Sequence, residues 1–152
     1  MRISVVGLAV IWGSFGYSAH ANSGAEQFEC AVSKLEIVGP KLLRDYHGPR
    51  PAFEFTITNH LDWPIAGFHF DYKVFSEGRQ IPWSSGNDGV WIAGGIEPGE
   101  TKSRMAFNVR IPSDAPDNLT MKYEIVTIVG PDDEVLRSSM HDENPALPCK
   151  VE

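Results

Sequence analysis

His60, His69 and Asp71 come nearest to metal chemistry in this chain. His69 and Asp71 stand two apart in Phe68-His69-Phe70-Asp71-Tyr72-Lys73-Val74. On an extended strand they share a face and offer an imidazole beside a carboxylate, with His60 in the preceding loop as a third ligand. Alternation alone requires polar residues on the wet face of such a strand, so the pair reads equally as solvated surface. The acidic groups Asp114 with Asp117, Asp132-Asp133-Glu134 and Asp142-Glu143 supply oxygen ligands of the kind calcium takes. None has the spacing of a calcium loop, and Asp is favoured in turns for its own backbone bonds. Met140-His141 is a soft pair without the repeated Met and His of a copper carrier. No Gly-x-Ser-x-Gly, His-Glu-x-x-His or Ser-x-x-Lys occurs, so the sequence indicates neither an enzyme nor a cofactor.

The aromatics carry a different chemistry. Trp63, Trp83 and Trp91 fall in or beside expected turns, with Trp83 and Trp91 flanking the polar stretch Ser84-Ser85-Gly86-Asn87-Asp88-Gly89. Large aromatics on the loops of a rigid scaffold make a platform for a protein or a sugar. The competing role, for Trp63 and Trp91, is to plug the open ends of the fold, and the sequence leaves both open. Asn118-Leu119-Thr120 is a glycosylation sequon.

The cysteines number two, Cys30 and Cys149. In an oxidising compartment an even count near the two ends of a domain implies a disulfide joining the terminal segments. Closing a loop of ~120 residues would stabilise the fold by about 4–5 kcal/mol on the chain-entropy estimate.

The compartment is indicated by Met1–Ala21. Arg2 gives a positive start, Val5 to Trp12 an apolar centre, and Ala19-His20-Ala21 a small-residue cleavage site before Asn22. The apolar run is far short of the roughly 20 residues that span a bilayer, so no membrane insertion is expected once the signal is removed. The expected organisation is a signal peptide over 1–21 and one domain over 22–152, secreted or periplasmic. The whole chain carries a formal charge of −7, and loss of Arg2 takes it to about −8. With no Lys/Arg cluster to offset it, that surface repels a phosphate backbone, and nucleic acid is excluded as a partner.

These side chains would be positioned by strands. Phe53, Phe55 and Ile57 alternate with Glu54, Thr56 and Thr58, and Phe68 to Val74 repeats the pattern. Met105, Phe107, Val109 and Ile111 form a third apolar row. Leu119, Met121, Tyr123 and Ile125 form a fourth, although Val126 and Ile128 leave that segment apolar on both sides. Shorter strands are expected over Phe28 to Ile37, Val90 to Ala93 and Glu134 to Ser138. Asn59-His60-Leu61-Asp62-Trp63-Pro64 reads as a hairpin loop, and Glu97-Pro98-Gly99-Glu100 and Gly130-Pro131-Asp132-Asp133 as tight turns. No mature segment has a sustained 3.6-residue apolar period, so almost no helix is expected. The fold class is all-β, an antiparallel sandwich of about seven strands.

Phe53 to Asn59, Trp63-Pro64-Ile65, Phe70 to Val74 and Gly94-Gly95-Ile96-Glu97-Pro98-Gly99-Glu100 together resemble bacterial extracytoplasmic immunoglobulin-like domains of the FxLYD kind. In those domains a turn asparagine and a Pro-Gly-Glu turn bracket the central hairpin. The resemblance runs over Phe53 to Ile111, and it implies a non-catalytic envelope module. The function expected is a binding or accessory domain whose partner is another envelope protein or an exposed ligand, approached around Trp63 and Trp83 to Trp91. The rival classes are a metal-binding protein or metalloenzyme centred on His60, His69 and Asp71, and a structural subunit assembling through edge strands.

Overall fold

The computed structural model describes residues 23–44, 51–106 and 108–149, so the expected signal peptide over 1–21 and Phe107 lie outside the described residues. A helix, α1 (Ser23–Ser33), precedes β1 (Leu35–Leu43), β2 (Ala52–Asn59), β3 (Ile65–Ser76), β4 (Ser84–Ile96), β5 (Thr101–Ala106), β6 (Leu119–Val129) and β7 (Val135–Arg137). The strands form two antiparallel sheets, ordered β1-β2-β5 and β4-β3-β6-β7. β2 pairs with β5 and β3 with β6, so connections cross between the layers as in an immunoglobulin-like sandwich.

Period-two patterning explains which faces meet. On β2, Phe53, Phe55 and Ile57 are buried, and on β3 so are Phe68, Phe70, Tyr72 and Val74. Phe55 is the centre of the core, with ring centroids 5.2 Å from Phe70, 5.9 Å from Phe68 and 5.4 Å from Tyr123. Burying each of these aromatics contributes about 1.5–3 kcal/mol.

Several expectations need correction. Residues 28–33 are helical, not strand: α1 buries Gly24, Gln27, Phe28, Cys30 and Ala31, a helical stripe containing a single large apolar side chain. The Asn59–Pro64 segment is not a hairpin loop, because β2 and β3 belong to different sheets. Asn59 draws the chain across instead: its side-chain amide donates to the carbonyls of Trp63 and Ile96, both at 2.9 Å. β4 begins at Ser84, so the polar stretch Ser84–Gly89 is strand paired with β3, and Trp91 sits within the strand and not beside a turn. On β5 the facing is inverted: Ala106 pairs with Phe53 and is buried, whereas Met105 pairs with Glu54 on the outer face. Val109 re-enters the core only after the strand has ended.

The two-sided end of β6 has a geometric cause. Phe68 and Phe70, two apart on β3, pair with Ile128 and Ile125, three apart on β6. A β-bulge absorbs the extra residue, so both isoleucines face inward and Val126 ceases to be an anomaly.

Candidate functional site

The terminal residues form a clasp at one pole. Cys30 and Cys149 are joined by a disulfide with alpha carbons 5.9 Å apart, tying α1 to the C-terminal segment. Gln27, buried on α1, donates to the carbonyls of Asn144 (2.8 Å) and Leu147 (2.7 Å) and accepts from the Asn144 N–H (2.8 Å). Gly24 N–H donates to the His141 carbonyl, and Leu147 is fully buried. Trp63 belongs to this assembly: it is 6% exposed and its indole N–H donates to the Pro148 carbonyl at 3.0 Å. A ring whose face is packed and whose one polar group is already bonded has nothing left for a ligand.

A second buried centre joins the two turn motifs. Asn59 also accepts from the Leu61 N–H through its side-chain oxygen, and its carbonyl accepts from the Gly99 N–H. Gly99 holds φ +80°, the left-handed conformation that glycine adopts without steric cost, and this shapes the Glu97–Glu100 turn. Glu100 closes that turn by accepting from the Glu97 N–H and from Lys102, at 3.0 and 2.9 Å. The lysine contact first, then the backbone N–H, lowers the Glu100 pKa below its ordinary value. On β4 the buried Asp88 accepts from the Gly89 N–H and from both the backbone and side chain of Asn108, fixing the linker that leaves β5.

Trp83 is half-buried and occupied. Its indole N–H donates to the Ser76 hydroxyl at 3.0 Å, and the Arg79 guanidinium lies 3.8 Å from its ring centroid. The neighbouring groove, about 810 Å³, is lined by Ser76, Glu77, Arg79, Asn118 and Lys122 among others.

Trp91 is the exception. It is 59% exposed and projects from the outer face of β4-β3-β6-β7. Its strand partner is Gly67, where a Cβ would stand 3.4 Å from the indole Cε3, so the ring is carried close over bare backbone. His69 meets it edge-on, centroids 5.5 Å apart and planes at 85°. One row further along, Asp71 accepts a hydrogen bond from its cross-strand partner Asn87 at 3.0 Å. Lys73 and Ser85 continue the row, both exposed. The result is a flat face with an indole at one end and imidazole, carboxylate, carboxamide and ammonium groups leading away from it.

The three metal candidates are therefore split in use. His69 packs against Trp91, Asp71 holds Asn87, and His60 stands in the β2–β3 connection 3.3 Å from Glu36. Among the described residues no group of three or more His, Cys, Asp or Glu is placed to hold a metal ion. The acidic clusters have local employment: Asp117 pairs with Arg44, Asp132 and Asp133 take left-handed turn conformations, and Glu134 accepts from Asn144.

Gln27, Asn59 and Asp88 escaped sequence reasoning as buried organisers. Only Asn59 had a signal, its position before an Asx-type turn. Among the described residues no helix is long and apolar enough to cross a membrane. No family model, curated protein or solved structure matches this chain.

Proposed function

We propose that the protein is a secreted or periplasmic, non-catalytic binding module of the cell envelope, and that it contacts its ligand through the outer sheet face around Trp91. The observation that carries this reading is the exposure of Trp91, set on glycine backbone and braced by His69. An exposed indole costs solvation without helping the core, and it gains a partner when a ligand covers it. The groups beside it suit a saccharide: the ring stacks against a sugar's C–H face, while Asp71, Asn87 and His69 meet hydroxyls at the margin. An exposed envelope saccharide is accordingly the ligand placed first, ahead of another envelope protein. The leader-like start and the Cys30–Cys149 disulfide support the compartment. The hydrogen bond between Gly99 and Asn59 links the two turn motifs on which the FxLYD-like resemblance rests, and kinship with such modules is part of the proposal.

The test is a glycan array probed with the disulfide-intact protein and with Trp91→Ala. Capture of a saccharide class by the first and its loss in the second, at unchanged melting temperature, is the expected result. An array that stays blank with the unmutated protein overturns the saccharide reading.

A further inference from the structure

Among the described residues, the outer edge of β6 is open over Leu119 to Ile125. β7 pairs with β6 only over Thr127 to Val129, and the last bond on that side is Ser138 N–H to the Val126 carbonyl. The chain then turns away through the Arg137–Met140 turn into the terminal clasp. Among the described residues, no strand pairs with the other side of β6 from Leu119 to Ile125, although β3 pairs with all of it. Where β7 would have continued there is a groove of about 400 Å³. Its apolar wall is Phe28, Val32, Leu35, Ile37, Tyr123 and Ile125, and Glu29, Glu124 and Ser138 supply polar groups to the lining. Unpaired main-chain groups beside a groove with an apolar wall are the template for adding a strand.

The sequence along this edge complements itself. We propose that two copies of the chain pair through the free edges of β6, antiparallel and centred on Tyr123. In that register Lys122 of one copy stands opposite Glu124 of the other, and Glu124 opposite Lys122, on the outer face. Met121 stands opposite Ile125 on the inner face, where the groove receives the incoming apolar side chains. Ser138 already holds Val126, so the shared ladder runs from Met121 to Ile125.

The charges argue for this occupant within the single chain as well. Across the β3 side, Lys122 is paired with Lys73 and Glu124 with Asp71, like charge against like. Such pairs destabilise a sheet, and an opposite charge on the other flank relieves them. Among the described residues neither Lys122 nor Glu124 makes an ion pair; Lys122 lies 5.4 Å from the Phe75 ring centroid. Both side chains are exposed, so their exchange leaves the core untouched. A two-fold axis normal to the sheet keeps both outer faces on one side, which would set the two Trp91 surfaces on the same face at opposite margins of the joined sheet, since β4 is the far edge strand. The pairing does not depend on those surfaces binding anything.

Sedimentation velocity over a dilution series of the purified, disulfide-intact chain tests the proposal. The expected result is a reversible dimer. Glu124→Lys sets lysine against lysine and weakens the dimer at least about tenfold, the scale of a like-charge contact across an interface. The double exchange Lys122→Glu with Glu124→Lys restores the complementarity and recovers most of the lost affinity. A thermal melt of each variant shows whether the monomer fold is retained. A monomer at every concentration, which is also what an edge reserved for an unrelated strand donor would give, overturns the proposal. So does a Glu124→Lys protein that dimerises as before, or a double variant no tighter than the single one.

Discussion

At the clasped pole, the residues after β7 fold back over α1, and the buried Gln27 and Trp63 side chains have their polar groups bonded within the chain. Gln27 makes three bonds, the Trp63 indole one, and the cysteines close the loop covalently. Along β6 and across the outer sheet face, the described residues leave a strand edge unpaired and a tryptophan mostly in solvent. The two arrangements are linked, because a C-terminal segment that leaves β6 to bind α1 cannot also extend β7. The contrast separates structural residues from contact residues. Where a large side chain is packed and its polar atom bonded internally, it stabilises the fold; where it is supported from beneath but uncovered, it is available to a ligand.

Breaking the clasp should have the largest effect. Replacing both cysteines, Cys30→Ser with Cys149→Ser, is expected to cost about 4–5 kcal/mol on the chain-entropy estimate for a loop of this length. Denaturant unfolding with and without reductant measures it, and an unchanged midpoint would mean that the polar contacts alone hold the pole. Trp63→Ala comes next, at about 3–5 kcal/mol for loss of a buried aromatic, read from the same unfolding curves.

Asn59→Ala sharpens the comparison from the turn next to the clasp, where Asn59 bonds the Trp63 carbonyl. It strands the carbonyls of Trp63 and Ile96 in the core, at about 1–3 kcal/mol for each group left unpaired. Chemical denaturation checks the sum, and a cost below that range would show that water replaces the amide.

A smaller effect is expected from Glu100. Its pKa is lowered in the fold, so its contribution is present above the ordinary carboxylate pKa and fades as pH falls through the depressed folded value. The melting-temperature gap between the native protein and Glu100→Gln should therefore narrow on acidification. A gap that widens would contradict the assigned contacts with Lys102 and the Glu97 N–H.

Much of the fold was legible because Phe53 to Thr58 and Phe68 to Val74 alternate cleanly, and a strand's period of two leaves no freedom in which face is buried. The disulfide was legible from count and position alone. α1 was not, since its buried stripe is built from Gly24, Gln27 and Ala31 around one phenylalanine, which carries almost no hydrophobic signal. Of β4, Val90 to Ala93 was legible as strand, but Ser84–Gly89 was not, because an edge strand whose outer face is Ser85, Asn87 and Gly89 looks like turn composition. Among the tryptophans, the sequence offered platform and plug alike for Trp63 and Trp91. Their fates depend on partners remote in sequence, Pro148 for Trp63 and Gly67 for Trp91, and no local pattern encodes those meetings.

The most direct test of the contrast is the urea unfolding midpoint of Trp91→Ala measured beside that of Trp63→Ala. Stability within about 0.5 kcal/mol of the native protein is predicted for Trp91→Ala, as for a surface substitution that leaves the core intact, with a large loss for Trp63→Ala. A Trp91→Ala protein destabilised as much as Trp63→Ala would make Trp91 part of the fold's support and remove the outer face as a binding surface.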